Sequence, residues 1–171
     1  MLIEKAGALS TIQDRGRFGY LSSGIGQAGA MDTCAYEAGA LLTENEGTAA
    51  ALEMTLLGGT FRFAEEAVIA LTGADMDARL NGHSLPPYLA CAVMPDDTLV
   101  LSMAKYGCRA YLSIHGGFDV PCVLGSRSTD LKCRIGGIGG RALRAGDTLP
   151  AVPSPLSRSL EAVSLANRKA V

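Results

Sequence analysis

Short hydrophobic runs separated by turn residues fill the middle of the chain. They recur roughly every 8–12 residues, a spacing typical of a β-sandwich or barrel. Asn81-Gly82 stands between Arg79-Leu80 and His83-Ser84-Leu85, and both turn residues tolerate the positive φ of a type I′ turn, so the pair predicts a hairpin. The pattern predicts a mainly β fold whose strands include 52–56, 60–63, 67–71, 89–93, 98–102 and 109–114.

One short helix is predicted near residues 32–46. Asp32 is a favourable N-cap residue, and alanine and leucine then recur at helical spacing as Ala35, Ala38 and Leu42. Gly47 supplies a C-terminal stop signal. The N-cap role by itself explains an aspartate at position 32 without any ligand.

The composition of the chain changes after Pro150. Pro, Ser and Arg dominate the next residues, and the final stretch 160–171 has an amphipathic pattern but no element after it to pack on. We therefore expect residues 1–150 to form one domain and residues 151–171 to be a linker or loose tail.

Composition and charge exclude several classes of protein. With 171 residues, 48% hydrophobic and 19% charged, the chain has enough apolar material for a core and too little charge for disorder. The net charge of −2 provides no positive field for nucleic acid. No apolar run reaches the roughly 18 residues of a membrane span, and the first residues lack signal-peptide character. We expect a cytoplasmic protein with no nucleic-acid or membrane partner.

Neither the cysteines nor the histidines predict a metal site. The five cysteines are odd in number and widely spaced, which fits neither a disulfide framework nor a zinc knuckle. His83 and His115 have no acidic or thiol neighbour at ligand spacing. The sequence therefore predicts reduced thiols and no bound metal.

Two glycine clusters require interpretation. Gly24–Gly29 matches G-x-G-x-x-G, but no buried strand directly precedes it, so a loop is favoured over a dinucleotide site. Gly136–Gly140 lacks the Lys-Ser/Thr of a P-loop. It lies in a segment, 127–144, that holds five basic residues and one acidic residue. Glycine amides and guanidinium groups there predict a cradle for phosphate or carboxylate, and turns with solvated arginines are the alternative.

Hydroxyl groups surround an arginine in the segment Ser126-Arg127-Ser128-Thr129. Such hydroxyls either bind an oxyanion or hydrogen-bond to the local backbone, and spacing does not separate the two interpretations. Asp14 and Arg15 lie beside glycines, as loop residues that contact ligands often do.

Segments spread over residues 3–149 carry the motifs of one family in one order. They are Thr11–Tyr20, Gly29–Asp32, Ala50–Thr55, Leu71–Asp75, Gly116–Pro121, Leu124–Leu131, Gly139–Leu143 and Ala145–Asp147. Together they resemble the N-terminal part of the family of 5-oxoprolinase C-type subunits, also called allophanate hydrolase subunit 2 or biotin-dependent carboxyltransferase. Full-length members continue well beyond the position that matches Asp147, so the chain is expected to be a short form or a fragment.

The resemblance implies a cyclophilin-like β-barrel and a role in a complex. A-type, B-type and C-type subunits together hydrolyse 5-oxo-L-proline to L-glutamate with ATP. The resemblance implies that ATP acts through that complex, and the chain has no biotin-attachment sequence or metal site. Two alternatives remain open: a regulatory module that docks on a B-type, kinase-inhibitor-like partner, and a carboxyltransferase domain related to urea carboxylase.

Eight residues are predicted to form the site of this enzyme component. Acid-base, orienting or clamping roles are assigned to Asp32, Glu53 and Arg127. Binding of the substrate or another anion is assigned to arginine and hydroxyl side chains, namely Arg15, Ser126, Ser128, Thr129 and Arg141. Opening an unstrained lactam requires stabilisation of developing negative charge, which such groups supply.

Overall fold

The computed structural model describes residues 1–171 as two antiparallel β-sheets and two α-helices. The mainly β prediction is confirmed. The elements are β1 Leu2–Lys5, β2 Leu9–Gln13, α1 Thr33–Leu42, β3 Ala51–Thr55, β4 Thr60–Arg62, β5 Ala67–Asp75, β6 Arg79–Leu80, β7 His83–Ser84, β8 Ala90–Val93, β9 Thr98–Val100, β10 Tyr106–Ile114 and α2 Arg158–Ala170, with a 3-10 turn at Leu21–Ser23. Neither helix has the length and apolar character needed to cross a membrane.

The core lies between the two sheets. Their strand orders are β1-β4-β9-β6-β7 and β2-β3-β10-β5-β8. Along β10, Ala110, Leu112 and Ile114 point into this core, whereas Tyr111 packs on the other side against α1. The second sheet is therefore covered on both faces, which explains why its strands are continuous apolar runs in the sequence. The predicted hairpin at Asn81-Gly82 joins β6 to β7.

Helix α1 begins where the sequence predicted. The Asp32 carboxylate accepts a hydrogen bond from the Ala35 N–H at 3.0 Å, as an N-cap does. The helix ends at Leu42, earlier than predicted, because the Thr43 hydroxyl donates back to the Gly39 carbonyl at 2.8 Å and the next residue has a positive φ. A Cβ at Gly39 would lie 2.5 Å from Ser113 Oγ, so this glycine allows close packing on β10.

Residues 151–171, which were expected to be a linker or loose tail, contain helix α2 instead. The Ser157 hydroxyl caps this helix by accepting from the Leu160 N–H at 3.0 Å. Leu160 is 5% exposed and packs against Val68 and Ala90. The partner strand β8 precedes α2 by more than sixty residues in the chain, so the local pattern could not indicate where the apolar face of α2 would pack.

Polar side chains near the end of α2 also contact β8. The Asn167 amide donates to the Ala90 carbonyl at 2.7 Å, and the Arg168 guanidinium donates to the Ala92 carbonyl at 3.0 Å. Arg168 also forms a bidentate ion pair with Asp97, which is 6% exposed. Burial raises the pKa of Asp97, but hydrogen bonds from Arg168, Met94 N–H and Asn81 outweigh it and hold that pKa below its ordinary value.

Replacing Arg168 with alanine is expected to lower the free energy of unfolding by about 2 kcal/mol, the worth of hydrogen bonds to a charged group. The change leaves the Asp97 carboxylate buried with fewer donors. Hydrogen exchange of the α2 amides and urea denaturation measure the effect. The neighbouring Lys169 is exposed, so Lys169→Ala is the matched control and should change stability by less than about 0.5 kcal/mol. Equal exchange rates in the two variants would contradict the proposed anchoring.

Candidate functional site

A buried carboxylate organises the segment 126–128. Asp14 follows β2 and is 4% exposed. Its Oδ1 accepts hydrogen bonds from the hydroxyls of Ser126 at 2.7 Å and Ser128 at 2.5 Å and from the Gly16 N–H at 2.7 Å. Its Oδ2 accepts from the Arg127 N–H at 2.6 Å. Asp14 therefore fixes the backbone on which the Arg127 side chain stands.

The predicted hydroxyl ligands are engaged in this network. Ser126 and Ser128 are 1% and 0% exposed, and both donate to Asp14. The Thr129 hydroxyl is buried without a hydrogen-bond partner, directly behind Gly137. The geometry thus gives Ser126 and Ser128 a structural role, and their predicted role in binding has no surface from which to act.

Arg127 lines a polar cleft of about 360 Å³. Loop 44–50, Gly116, Phe118 and residues 152–154 form the rest of the wall. The Arg127 guanidinium makes no hydrogen bond or ion pair within the chain, and its Nε is buried. A guanidinium carries five donors and stays charged, so this one is available to an acceptor in the cleft.

Asn45 fixes the part of the wall formed by loop 44–50. Its amide donates to the Ile114 carbonyl at 2.7 Å, and its carbonyl accepts from the Gly116 N–H at 2.7 Å. Loop 44–50 is thereby joined to the end of β10. The shape of the cleft is therefore held by contacts of the Asn45 side chain with backbone groups that are distant in sequence.

Arg15 lies beside the same loop. A Cβ at Gly47 would be 2.6 Å from Arg15 Cζ, so the guanidinium rests on the backbone of that glycine. Arg15 pairs with Glu37 at 3.2 Å, and both side chains are at least half exposed. An exposed pair of this kind contributes little to stability, so Arg15 can exchange Glu37 for another anion at small cost.

The predicted pair Asp32 and Glu53 meets in a second network. Glu53 Oε2 accepts from the Tyr111 hydroxyl at 2.7 Å and from the Met31 N–H at 2.9 Å. The Tyr111 oxygen accepts from the Asp32 N–H at 2.8 Å. Burial, reinforced by Glu53, raises the pKa of Tyr111 above its ordinary value, so the hydroxyl remains a donor. The network anchors the start of α1 to the sheet.

Arg109 completes this network and was not predicted as a site residue. Its Nε lies 3.5 Å from Glu53 Oε1, and its side chain is 22% exposed. Tyr111 stands directly opposite Glu53 in the β3–β10 register, with Arg109 two residues before it on the same strand. Strand register brings these groups together, and the sequence alone does not supply that register.

Arg141, predicted to bind an anion, is paired within the chain. Its two terminal nitrogens donate to the two carboxylate oxygens of Asp147 at 2.7 and 2.8 Å. The hydrogen bond from Arg141 holds the pKa of Asp147 below its ordinary value, and the pair raises the pKa of Arg141. The guanidinium fork is therefore already occupied by a carboxylate.

Low pH should remove the contribution of the Arg141–Asp147 pair to the free energy of unfolding. Because the folded-state pKa of Asp147 is lowered, its stabilisation is fully present above the ordinary value of about 3.9 and is lost as pH falls through the folded-state value. Asp147→Asn should therefore lower the free energy of unfolding by about 1 kcal/mol at pH 7, allowing for solvent screening, and by almost nothing near pH 2. Asp119→Asn, at an exposed position, is the control. A difference that does not change with pH would contradict the assignment.

No three His, Cys, Asp or Glu side chains are grouped as metal ligands. Arg127 is the only basic residue in the lining of the cleft, which also contains the carboxylates of Glu44 and Glu46, and Arg15 lies beside the same loop. The Arg127 guanidinium suits a carboxylate or another oxyanion as its acceptor, and a ligand that enters the cleft also meets these two carboxylates.

Comparison with known proteins gives consistent matches. Residues 23–170 match the sequence model described as "carboxyltransferase domain, subdomain A and B". The chain is 43% identical to the C-type subunit of the 5-oxoprolinase of Escherichia coli over 148 residues, which cover 86% of the chain and 48% of that protein. It is 38% identical to the urea amidolyase of Saccharomyces cerevisiae over 156 residues, 91% of the chain and 8% of that protein.

A solved structure gives the same result. The crystal structure of the K. lactis urea amidolyase superposes with a TM-score of 0.87 at 37% identity, covering 96% of the chain and 10% of that protein. The chain thus spans about half the length of the 5-oxoprolinase C-type subunit that it matches and a small part of the urea amidolyases.

Proposed function

Because the chain belongs to the carboxyltransferase domain family of subdomain A and B type, within which its relatives include the C-type subunits of 5-oxoprolinases, we propose that it is a component of an ATP-dependent 5-oxoprolinase. In this proposal it acts with A-type and B-type subunits to hydrolyse 5-oxo-L-proline to L-glutamate. ATP is bound by the complex and activates the lactam carbonyl.

The proposal of 5-oxoproline as the substrate rests on the Arg127 guanidinium, which lines the cleft and has no hydrogen-bond partner in the chain. 5-Oxoproline has a carboxylate beside the lactam ring, and a guanidinium binds a carboxylate through two parallel charge-assisted hydrogen bonds. Urea has no such group. The role of Arg127 is therefore to hold the substrate carboxylate and orient the lactam bond.

The other predicted residues support this site. Asp14 fixes the Arg127 backbone, and Arg15 adds a second positive charge beside loop 44–50. Asp32 and Glu53 position the start of α1 rather than transfer protons, since the Asp32 carboxylate caps the helix and Glu53 is bonded to Tyr111 and Met31.

Glutamate release from 5-oxoproline and ATP tests the proposal. The chain is mixed with A-type and B-type subunits, and a parallel mixture omits it. Glutamate formed only when the chain is present is the expected result. Absence of glutamate, with a full-length C-type subunit restoring activity in the same mixture, would overturn the proposal for this chain.

Carboxyl transfer to urea is the second candidate, favoured by the 38% identity to a urea amidolyase and by the superposition on that enzyme from K. lactis. It predicts urea-dependent loss of carboxyl from carboxybiotin when the chain is added to a biotin carboxylase and its biotin carrier. Urea-dependent turnover without 5-oxoproline turnover would favour this candidate over the first.

A further inference from the structure

Arg17 is a buried cation without an ion pair. It is 2% exposed; Nη2 donates to the Ser128 carbonyl at 2.7 Å, Nε to the Val123 carbonyl at 3.4 Å, and Nη1 is buried with no partner. No carboxylate lies within 4.0 Å of its guanidinium nitrogens. A guanidinium cannot lose its proton, and an uncompensated buried charge costs several kcal/mol.

Asp130 compensates this charge only from a distance. Its Oδ1 accepts from the Lys132 and Cys133 N–H groups, each at 2.9 Å. The pKa of Asp130 is held below its ordinary value by the Cys133 N–H first and, to a smaller extent, by the positive charge of Arg17. Asp14 is already engaged with two serine hydroxyls and two backbone N–H groups. Neither carboxylate therefore contacts the Arg17 guanidinium, and its charge is compensated only in part.

A glycine loop separates Arg17 from the surface. A Cβ at Gly136 would lie 2.8 Å from Arg17 Nη2 and 2.0 Å from the Ser128 carbonyl oxygen. A Cβ at Gly137 would lie 2.1 Å from Thr129 Oγ1, which, like Arg17 Nη1, is a buried polar atom without a hydrogen-bond partner. Only backbone therefore separates these two groups from the other face of the loop.

The other face of the loop lines a cleft of about 300 Å³, distinct from the Arg127 cleft. Its lining comprises Pro121, Val123, Arg134, Ile135, Gly136, Gly137, Gly139 and Gly140. Arg134 is the only charged residue of that set, and the four glycines have φ between 50° and 71°. Successive backbone N–H groups in turn conformations form concavities that bind anions.

Donors are also available in this loop. The N–H groups of Gly137 and Gly140 donate to the Arg127 and Gly136 carbonyls, and Ile138 pairs with Arg141 in an isolated β-bridge. The N–H groups of Gly136 and Gly139 donate to no acceptor in the chain. The loop thus combines unused amide donors with an arginine in the cleft lining and a buried arginine directly behind it.

We propose that this glycine-loop cleft, lined by residues 121–123 and 134–140, binds a small oxyanion, either phosphate or a carboxylate. The loop amides hydrogen-bond to it, Arg134 pairs with it, and the charge of Arg17 attracts it through the thin backbone wall. The site is independent of the proposed 5-oxoproline cleft, so failure of one proposal leaves the other intact.

Titration of the full chain with inorganic phosphate, and separately with acetate, tests the site. Backbone amide NMR shifts of residues 134–140 should move and saturate with one or both anions at constant ionic strength. Saturation with phosphate alone identifies a tetrahedral oxyanion, and saturation with acetate identifies a carboxylate. No saturable shift with either anion, or an equal response to chloride, would overturn the proposal.

Variants separate a built site from general attraction to positive charge. Arg134→Gln should weaken binding about tenfold, the loss expected for one charge-assisted hydrogen bond, while Arg144→Gln at an exposed position should leave it unchanged. Arg17→Met should weaken it by a similar factor, and Arg17→Lys, which keeps the charge, should restore part of the loss. If the Arg17 variants fail to fold, the anion affinities of Arg134→Gln and Arg144→Gln still test the proposal. Equal weakening of binding in these two variants would overturn it.

Discussion

Replacing Asp14 with alanine should lower the free energy of unfolding by about 3–5 kcal/mol, because four donors lose a charged acceptor at a cost of about 1 kcal/mol each. The change leaves the hydroxyls of Ser126 and Ser128 and the N–H groups of Gly16 and Arg127 without their acceptor. Native domains are stable by about 5–15 kcal/mol, so the loss is a large share of the total. Urea denaturation followed by circular dichroism measures it.

Two variants make this result specific. Asp119→Ala removes an exposed carboxylate and should change stability by less than about 0.5 kcal/mol. Asp14→Asn keeps the shape of the side chain but turns one acceptor oxygen into a donor group. Its free energy of unfolding should therefore lie between those of Asp14→Ala and wild type. A loss below about 1 kcal/mol for Asp14→Ala would show that the network is not the anchor of segment 126–128.

Arg127→Ala should reduce turnover of 5-oxoproline by the assembled enzyme about 100-fold to 1000-fold, the loss expected for two charge-assisted hydrogen bonds to the substrate carboxylate of about 1.5–2 kcal/mol each. Since the guanidinium makes no hydrogen bond or ion pair within the chain, the circular-dichroism spectrum and the stability should remain close to those of wild type. Arg127→Lys keeps the charge without the planar fork and should recover only part of the activity.

A substrate without a carboxylate provides the control for this prediction. 2-Pyrrolidinone has the same lactam ring and no carboxylate, so any turnover of it should be the same with and without Arg127. Arg144→Ala, at an exposed position, should leave 5-oxoproline turnover unchanged. If Arg127→Ala slowed both lactams equally, Arg127 would act on the reacting bond or on assembly of the complex rather than on the carboxylate.

The fold was largely predictable where local pattern decides structure. The strand runs are continuous because α1 and the facing sheet cover both sides of β10 and its neighbours, and the Asp32 cap defines where α1 begins. Helix α2 was not predicted because its stability depends on β8, which is distant in sequence. An amphipathic pattern shows which face of a helix is apolar, but it does not show which element that face packs against.

The contacts of the candidate site residues were harder to predict than the fold. Ser126 and Ser128 were predicted as anion ligands, but their hydrogen-bond partner Asp14 is 112 and 114 residues away in the sequence. The pairing of Arg141 with Asp147, only six residues apart, was open to recognition from the opposite charges at the two ends of that segment. The burial of Arg17 was not, because an arginine between glycines is normally expected to be solvated.

The hydrogen bonds from Asn167 and Arg168 to β8 also affect how chains behave toward one another. β8 is the last strand of its sheet, and its outward carbonyls are the groups that a strand from another molecule would bind. Side-chain donors on α2 already occupy two of them. Loss or unwinding of α2 would therefore do more than loosen a terminus: it would uncover a template for intermolecular strand pairing, and solubility at high concentration would then depend on this one helix.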